Sequence, residues 1–165
     1  MGLITETGTA SATSESLCDV ATATAYFASR GNAAWAVLSV PVMEVSLRKA
    51  TDYMERVFKS RWQGIRVNST QALDWPRIGV TANGYYALST IVPVPVQRAC
   101  AELAVRAAAA NLLADTTQQK TSTKIGDIEI AFDKYSPQSP QYLDVIALLS
   151  PYFDEQSSIV AKLVR

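Results

Sequence analysis

Residues 40–58 read VPVMEVSLRKATDYMERVF, and this stretch decides the fold. Leu47, Ala50, Thr51, Met54, Val57 and Phe58 recur at helical spacing and make one apolar stripe. Glu44, Arg48, Lys49, Asp52, Glu55, Arg56 and Lys59 supply the charge. Ser39 stands where an N-cap belongs, and Pro41 is tolerated in a first helical turn, whose N–H groups have no partner in the helix. Glu44–Arg48 and Asp52–Arg56 are spaced i,i+4 in the favourable order, each contributing about 0.3 kcal/mol. The pattern predicts a long helix over Val40–Phe58, with one face committed to a core.

Working outward, a second long helix is predicted over Val96–Asp115. It is Ala-rich, with Cys100, Leu103, Ala107 and Ala110 on one face, small enough to admit a neighbouring helix closely. Asp19 is placed to cap a short helix over Val20–Arg30, with Gly31 following it and Asn32 capping one further turn. Residues 60–95 carry Gly64, Pro76, Gly79, Gly84, Pro93 and Pro95 and read as a long irregular loop, with one helical turn near Gln71–Leu73. Trp62, Trp75, Tyr85 and Tyr86 are its expected apolar anchors. Residues 123–134 alternate, with Ile128, Ile130 and Phe132 on one face, and Gly126-Asp127 makes a two-residue hairpin turn. Residues 141–149 read as a short helix. The predicted fold is mainly α: a small helical bundle with two long helices, a long irregular loop, one β-hairpin and extended termini. Residues 1–16 form an N-terminal arm, 17–153 one helical domain, and 154–165 a C-terminal tail.

A chain of 165 residues, 48% apolar, can bury an ordinary core without disulfide or metal. Fifteen basic and fifteen acidic residues give a net charge of zero, which argues against a dedicated duplex-DNA binder. There is no histidine, so the commonest general base and metal ligand are both missing. Cys18 and Cys100 make no CxxC pair and read as buried free thiols. The N-terminal stretch has neither the basic nor the apolar region of a signal peptide, and no apolar run is long enough to span a membrane.

No catalytic constellation emerges. The serines and threonines have no histidine partner, there is no phosphate-binding glycine loop, and Asp127, Glu129 and Asp133 lack the spacing of a calcium loop. The chain is therefore expected not to be an enzyme and to need no cofactor or metal. Arg61, Arg66 and Arg77, interleaved with Trp62 and Trp75, allow three readings. A single-strand binder tracks phosphates with arginine and stacks bases on rings. Alternatively the tryptophans pin the loop to the helices and the arginines pair with Asp74 or solvent, which the balanced charge favours. Thirdly, the net-basic stretch Glu44–Arg77 meets the net-acidic stretch Glu129–Glu155 of a second copy, a head-to-tail contact that closes into a ring.

Five stretches resemble one phage protein family: LITETGTASATSES (3–16), DVATATAYFASRGNAAW (19–35), LRKATDYMERVFKSRWQGIRV (47–67), QALDWPRIGV (71–80) and VPVPVQRACAELAVRA (92–107). The blocks Leu47–Tyr53 and Gln71–Arg77 are the most specific, and the closing Leu163-Val164-Arg165 is also similar. Cys18-Asp19 departs from a Ser-Val-like cap but keeps a capping residue. The family is described both as DnaT-like single-stranded-DNA-binding proteins and as head-to-tail adaptors of tailed phages. The adaptor side implies a virion protein at the head–tail junction, assembled in the host cytoplasm. It would form a ring of twelve copies between the portal and the next neck or tail component, with packaged DNA passing through the lumen and no membrane contact. On that side, Ile159, Val160, Leu163, Val164 and Arg165 would dock on the portal, and Arg61, Trp62, Arg66, Ile128, Ile130 and Phe132 would form subunit contacts. The other side implies a replication protein that holds single strands through Arg61, Arg66, Arg77 and Trp75. A neutral chain suits a ring that lets DNA slide, so the adaptor is the expected function and single-strand binding the alternative.

Overall fold

The computed structural model describes residues 2–113, 122–125, 128–131 and 142–154. The fold is mainly α with a small β component, as the periodicity implies. Helices α1 (Val20–Ala28), α2 (Ala33–Ala36), α3 (Val40–Val57), α4 (Val94–Ala109) and α5 (Leu143–Leu149) surround one core, and a 3-10 turn over Ser150–Tyr152 follows α5. Three two-stranded antiparallel ribbons complete it: β1 (Ile65–Arg66) with β2 (Arg77–Ile78), β3 (Thr81–Ala82) with β4 (Tyr85–Tyr86), and β5 (Ser122–Ile125) with β6 (Ile128–Ala131).

The stripe read from α3 is the one that packs. Met43, Leu47, Ala50, Thr51 and Met54 are buried on α3, facing Val96, Ala99, Cys100, Leu103, Ala104 and Ala107 of α4. Small residues on α4 let the backbones approach: the Cys100 thiol lies 3.4 Å from the Thr51 hydroxyl. Cys18 and Cys100 are both buried and free, and burial pushes the Cys100 thiol up to about 11. The Asp19 carboxylate accepts from Thr22 N at 2.7 Å, and the Asn32 carbonyl oxygen accepts from Ala34 N and Trp35 N, so both caps stand.

Three local readings shift. α4 starts at Val94, because Pro95 in its first turn has no N–H to leave orphaned. It ends at Ala109, where Ala110 turns extended and the Asn111 side chain captures Leu113 N. No helical turn forms at Gln71–Leu73; the Asn68 carboxamide instead takes the N–H groups of Thr70 and Gln71. The N-terminal segment, read as an arm, folds around Glu6. That carboxylate is 3% exposed and accepts from the N–H groups of Gly8, Ala10 and Ser11 and from the Ser14 hydroxyl. Burial alone would raise its pKa, but these donors hold it below the usual carboxylate value.

In the β5–β6 ribbon, Ile125 pairs with Ile128, the register a two-residue connection requires. Gly126-Asp127, Phe132 and the segment from residue 155 onward lie outside the described residues.

Candidate nucleic-acid interface

The loop after α3 returns to the core through an aromatic chain. Arg61–Gln63 runs antiparallel to Tyr152–Asp154: Gln63 N donates to Tyr152 O at 3.0 Å, and Asp154 N donates to Arg61 O at 2.8 Å. Trp62 packs edge-on against Trp75 at 5.6 Å and lies tilted against Phe153 at 5.1 Å, while Trp75 meets Tyr152 at 5.7 Å. Trp75 is fully buried and Trp62 nearly so. These rings pin the loop. In the folded chain neither can stack on a base, and Trp62 cannot face a second subunit.

The three arginines part company. Arg77 is buried and spends its guanidinium on backbone: Nε donates to Gln63 O at 2.7 Å, Nη2 to Gly64 O at 2.7 Å and Nη1 to Asp74 O at 3.1 Å. It is a staple across the β1–β2 ribbon. Arg66 donates to the carbonyls of Gln71 and Leu73 and lies 3.9 Å from the Asp74 carboxylate, with a third of its side chain still exposed. Arg61 lays its guanidinium 4.2 Å above the Phe153 ring and carries no ion pair among the described residues. Ile128 and Ile130 lie on β6 opposite Ile125 and Thr123. Phe132, Ile159, Val160, Leu163, Val164 and Arg165 fall outside the described residues.

Beneath this loop lies an acidic pair. Both Glu55 oxygens accept from Asp74 N, and the Asp74 side chain is almost wholly buried. Burial pushes Glu55 up to about 7, with the Asp74 charge adding to the rise and Arg66 and Lys59 opposing it. Burial also raises Asp74, against the pull of Arg77 and Arg66.

Above the pair opens a cleft of about 560 Å³, lined by Lys59, Gly64–Ser69, Asp74 and Arg77. Lys59, two residues past the end of α3, follows charged residues on the exposed face of that helix. Lys49, Asp52 and Arg56 fall within about 60° of arc at 100° per residue, and Lys49 and Arg56 are about 10 Å apart along the axis. Lys49, Arg56 and Lys59 are exposed, and none has an ion pair among the described residues. A second basic groove, of about 270 Å³, runs between α1 and α4. There Arg30 stacks 3.8 Å from the Tyr26 ring beside Arg98. Sequence reasoning grouped arginines by nearness in the chain and missed both. The signal for the first was present as cations at i, i+7 and i+10 opposite the apolar stripe.

Tyr85 and Tyr86, expected as anchors, are instead 79% and 85% exposed at the tip of the β3–β4 ribbon. The two residues ahead of them, Asn83 and Gly84, have φ of +53° and +84°, the twist a two-residue hairpin needs. A family model described as "Putative DnaT-like ssDNA binding protein" matches residues 1–165. The chain belongs to that family. No curated protein and no solved structure matches it. Membership in a DnaT-like ssDNA-binding family overturns the adaptor reading, with its ring of twelve, its portal and neck partners and its DNA-filled lumen. The physical argument for that reading was the zero net charge. It fails because net charge averages over the whole chain: Glu15 and Glu44 pair with Arg48, Asp74 with Arg66, and Glu102 and Asp144 with Arg106, while Lys49, Arg56 and Lys59 stand exposed with Asp52 among them. Among the described residues, no helix is long and apolar enough to cross a membrane, and no group of three potential metal ligands occurs.

Proposed function

We propose that this protein is a single-stranded-DNA-binding protein that acts by holding the strand, with no catalytic step and no cofactor. The observation that carries the reading is the run of exposed cations Lys49 and Arg56 on α3 and Lys59 just past its end, leading into the cleft where Arg66 stands. The family description supports the same reading. Phosphates track the row, and the strand's negative charge supplies most of the affinity through counterion release. Arg66, already half-fixed by two carbonyls, offers its exposed edge at little further cost in side-chain entropy. Trp75 and Arg77 shape the floor of this surface from within and do not touch DNA.

The test is a fluorescence-anisotropy titration of the full chain with a labelled oligothymidine and with a duplex of equal length, across a salt series. Salt-sensitive binding that favours the single strand is expected. Absence of binding at low salt, or equal binding of the duplex, would sink the reading.

A further inference from the structure

The cationic row explains attraction to any polyanion, but it does not explain a preference for unpaired bases. A strand whose bases are free presents rings, and a protein reads them with rings. The rings the loop was expected to offer, Trp62 and Trp75, are buried. Two others stand free. Tyr85 and Tyr86 occupy successive positions on β4, so they project to opposite faces of the β3–β4 ribbon.

The ribbon is braced at its base. Val80, immediately before β3, is fully buried, and Ala87 N donates to Val80 O at 2.9 Å. Thr81 N donates to the Gln63 side-chain oxygen at 3.0 Å. The Gln63 side-chain nitrogen in turn donates to the carbonyls of Pro151 and Phe153. Gln63 therefore locks the hairpin to the segment that carries Arg61 on one side and the Gly64–Ser69 wall of the cleft on the other. Tyr86 is the Cα partner of Thr81, a separation of about 5 Å across such a ribbon. The base of the hairpin is thus tied through Gln63 to the segment that leads from Arg61 into the cleft, with both rings exposed beyond it.

Resting on the single-strand reading, we infer that the Tyr85–Tyr86 hairpin is a base-stacking element that takes two unpaired bases, one on each face, while the Lys59–Arg66 cleft holds the neighbouring phosphates. Exposed rings on a rigid ribbon lose little freedom on stacking. Tyrosine also tolerates all four bases, as a holder of arbitrary sequence requires.

The experiment compares wild-type protein with Tyr85→Ala/Tyr86→Ala and Tyr85→Phe/Tyr86→Phe. Labelled oligothymidine and an abasic strand of equal length are titrated by anisotropy. The alanine pair is expected to weaken oligothymidine binding by roughly 30-fold or more and to leave the abasic strand unchanged, and the phenylalanine pair to bind like wild type. If the double variant melts early, Tyr85→Ala and Tyr86→Ala taken singly carry the same comparison, each with roughly a 5-fold loss. Unchanged oligothymidine affinity, or an equal loss on the abasic strand, would overturn the stacking role while wild-type binding upheld the parent reading. Wild-type protein that binds neither strand would overturn both. A wild-type dimer in sedimentation that the alanine pair dissociates, with DNA affinity unchanged, would assign the hairpin to contact between copies instead.

Discussion

Both carboxylate oxygens of Glu55 accept from the backbone N–H of Asp74, at 2.9 and 3.0 Å, and this joins the last turn of α3 to the floor of the cleft. Burial pushes Glu55 up to about 7: the Asp74 N–H opposes the rise, and the Asp74 charge adds to it. A carboxyl whose folded pKa lies above its unfolded value of 4.5 makes the folded state hold a proton that the unfolded state has released. Stability should therefore fall as pH rises from about 4.5 to about 7 and level off above that. Glu55→Gln keeps an oxygen for the Asp74 N–H and removes the titration. Its melting temperature should gain on wild type across that window. Parallel curves for the two proteins would show that Glu55 titrates normally.

Glu6 should act with the opposite sign. Its pKa is held below 4.5 in the folded chain, so its contribution is fully present above 4.5 and is lost as pH falls through the folded value. Glu6→Ala leaves three backbone N–H groups and the Ser14 hydroxyl without their acceptor. The expected cost is about 2–3 kcal/mol at neutral pH, read by urea denaturation. The deficit should shrink in acid, where wild type loses the same interactions. A deficit that is constant with pH would mean the loop needs only the side chain's volume.

The helices were legible because their signals are local. The α3 stripe and the caps at Asp19 and Asn32 depend on residues within a turn of one another, and all three were read correctly. The loop was not, because its conformation is set by partners far along the chain. Gln63 bonds to Pro151 and Phe153, and Trp75 packs on Tyr152. Nothing near Trp62 or Tyr85 in sequence tells that one ring is buried and the other free. The site was misjudged for a related reason: total charge averages over pairs such as Arg48–Glu15 that only the fold brings together.

Arg77→Lys distinguishes a staple from a DNA contact. Lysine keeps the charge but cannot reach the carbonyls of Gln63, Gly64 and Asp74 together. A loss of about 2–4 kcal/mol in stability is expected, since buried carbonyls are left unpaired. Unchanged denaturation with weakened DNA binding would return Arg77 to the interface.

Gly64 tests the wall of the cleft. It has φ of +65°, and a Cβ there would stand 2.1 Å from Ile78 O, a backbone atom of the paired strand. Gly64→Ala should part β1 from β2, costing about 3 kcal/mol or more and lowering single-strand affinity together with stability. Full stability in the alanine variant would mean the two strands can separate without consequence.

The cationic row makes a quantitative claim about salt. Each phosphate neutralised on a single strand contributes about −0.7 to the slope of log K against log salt. If Lys49, Arg56 and Lys59 each meet one phosphate, they account together for about −2 of the wild-type slope. Each alanine substitution should flatten the slope by about 0.7, and Lys59→Glu should weaken binding further through repulsion at the mouth of the cleft. All three side chains are exposed and make no ion pair among the described residues, so folding should be unaffected. A slope that survives the triple substitution, alongside one that flattens in Arg30→Ala/Arg98→Ala, would move the strand to the groove between α1 and α4.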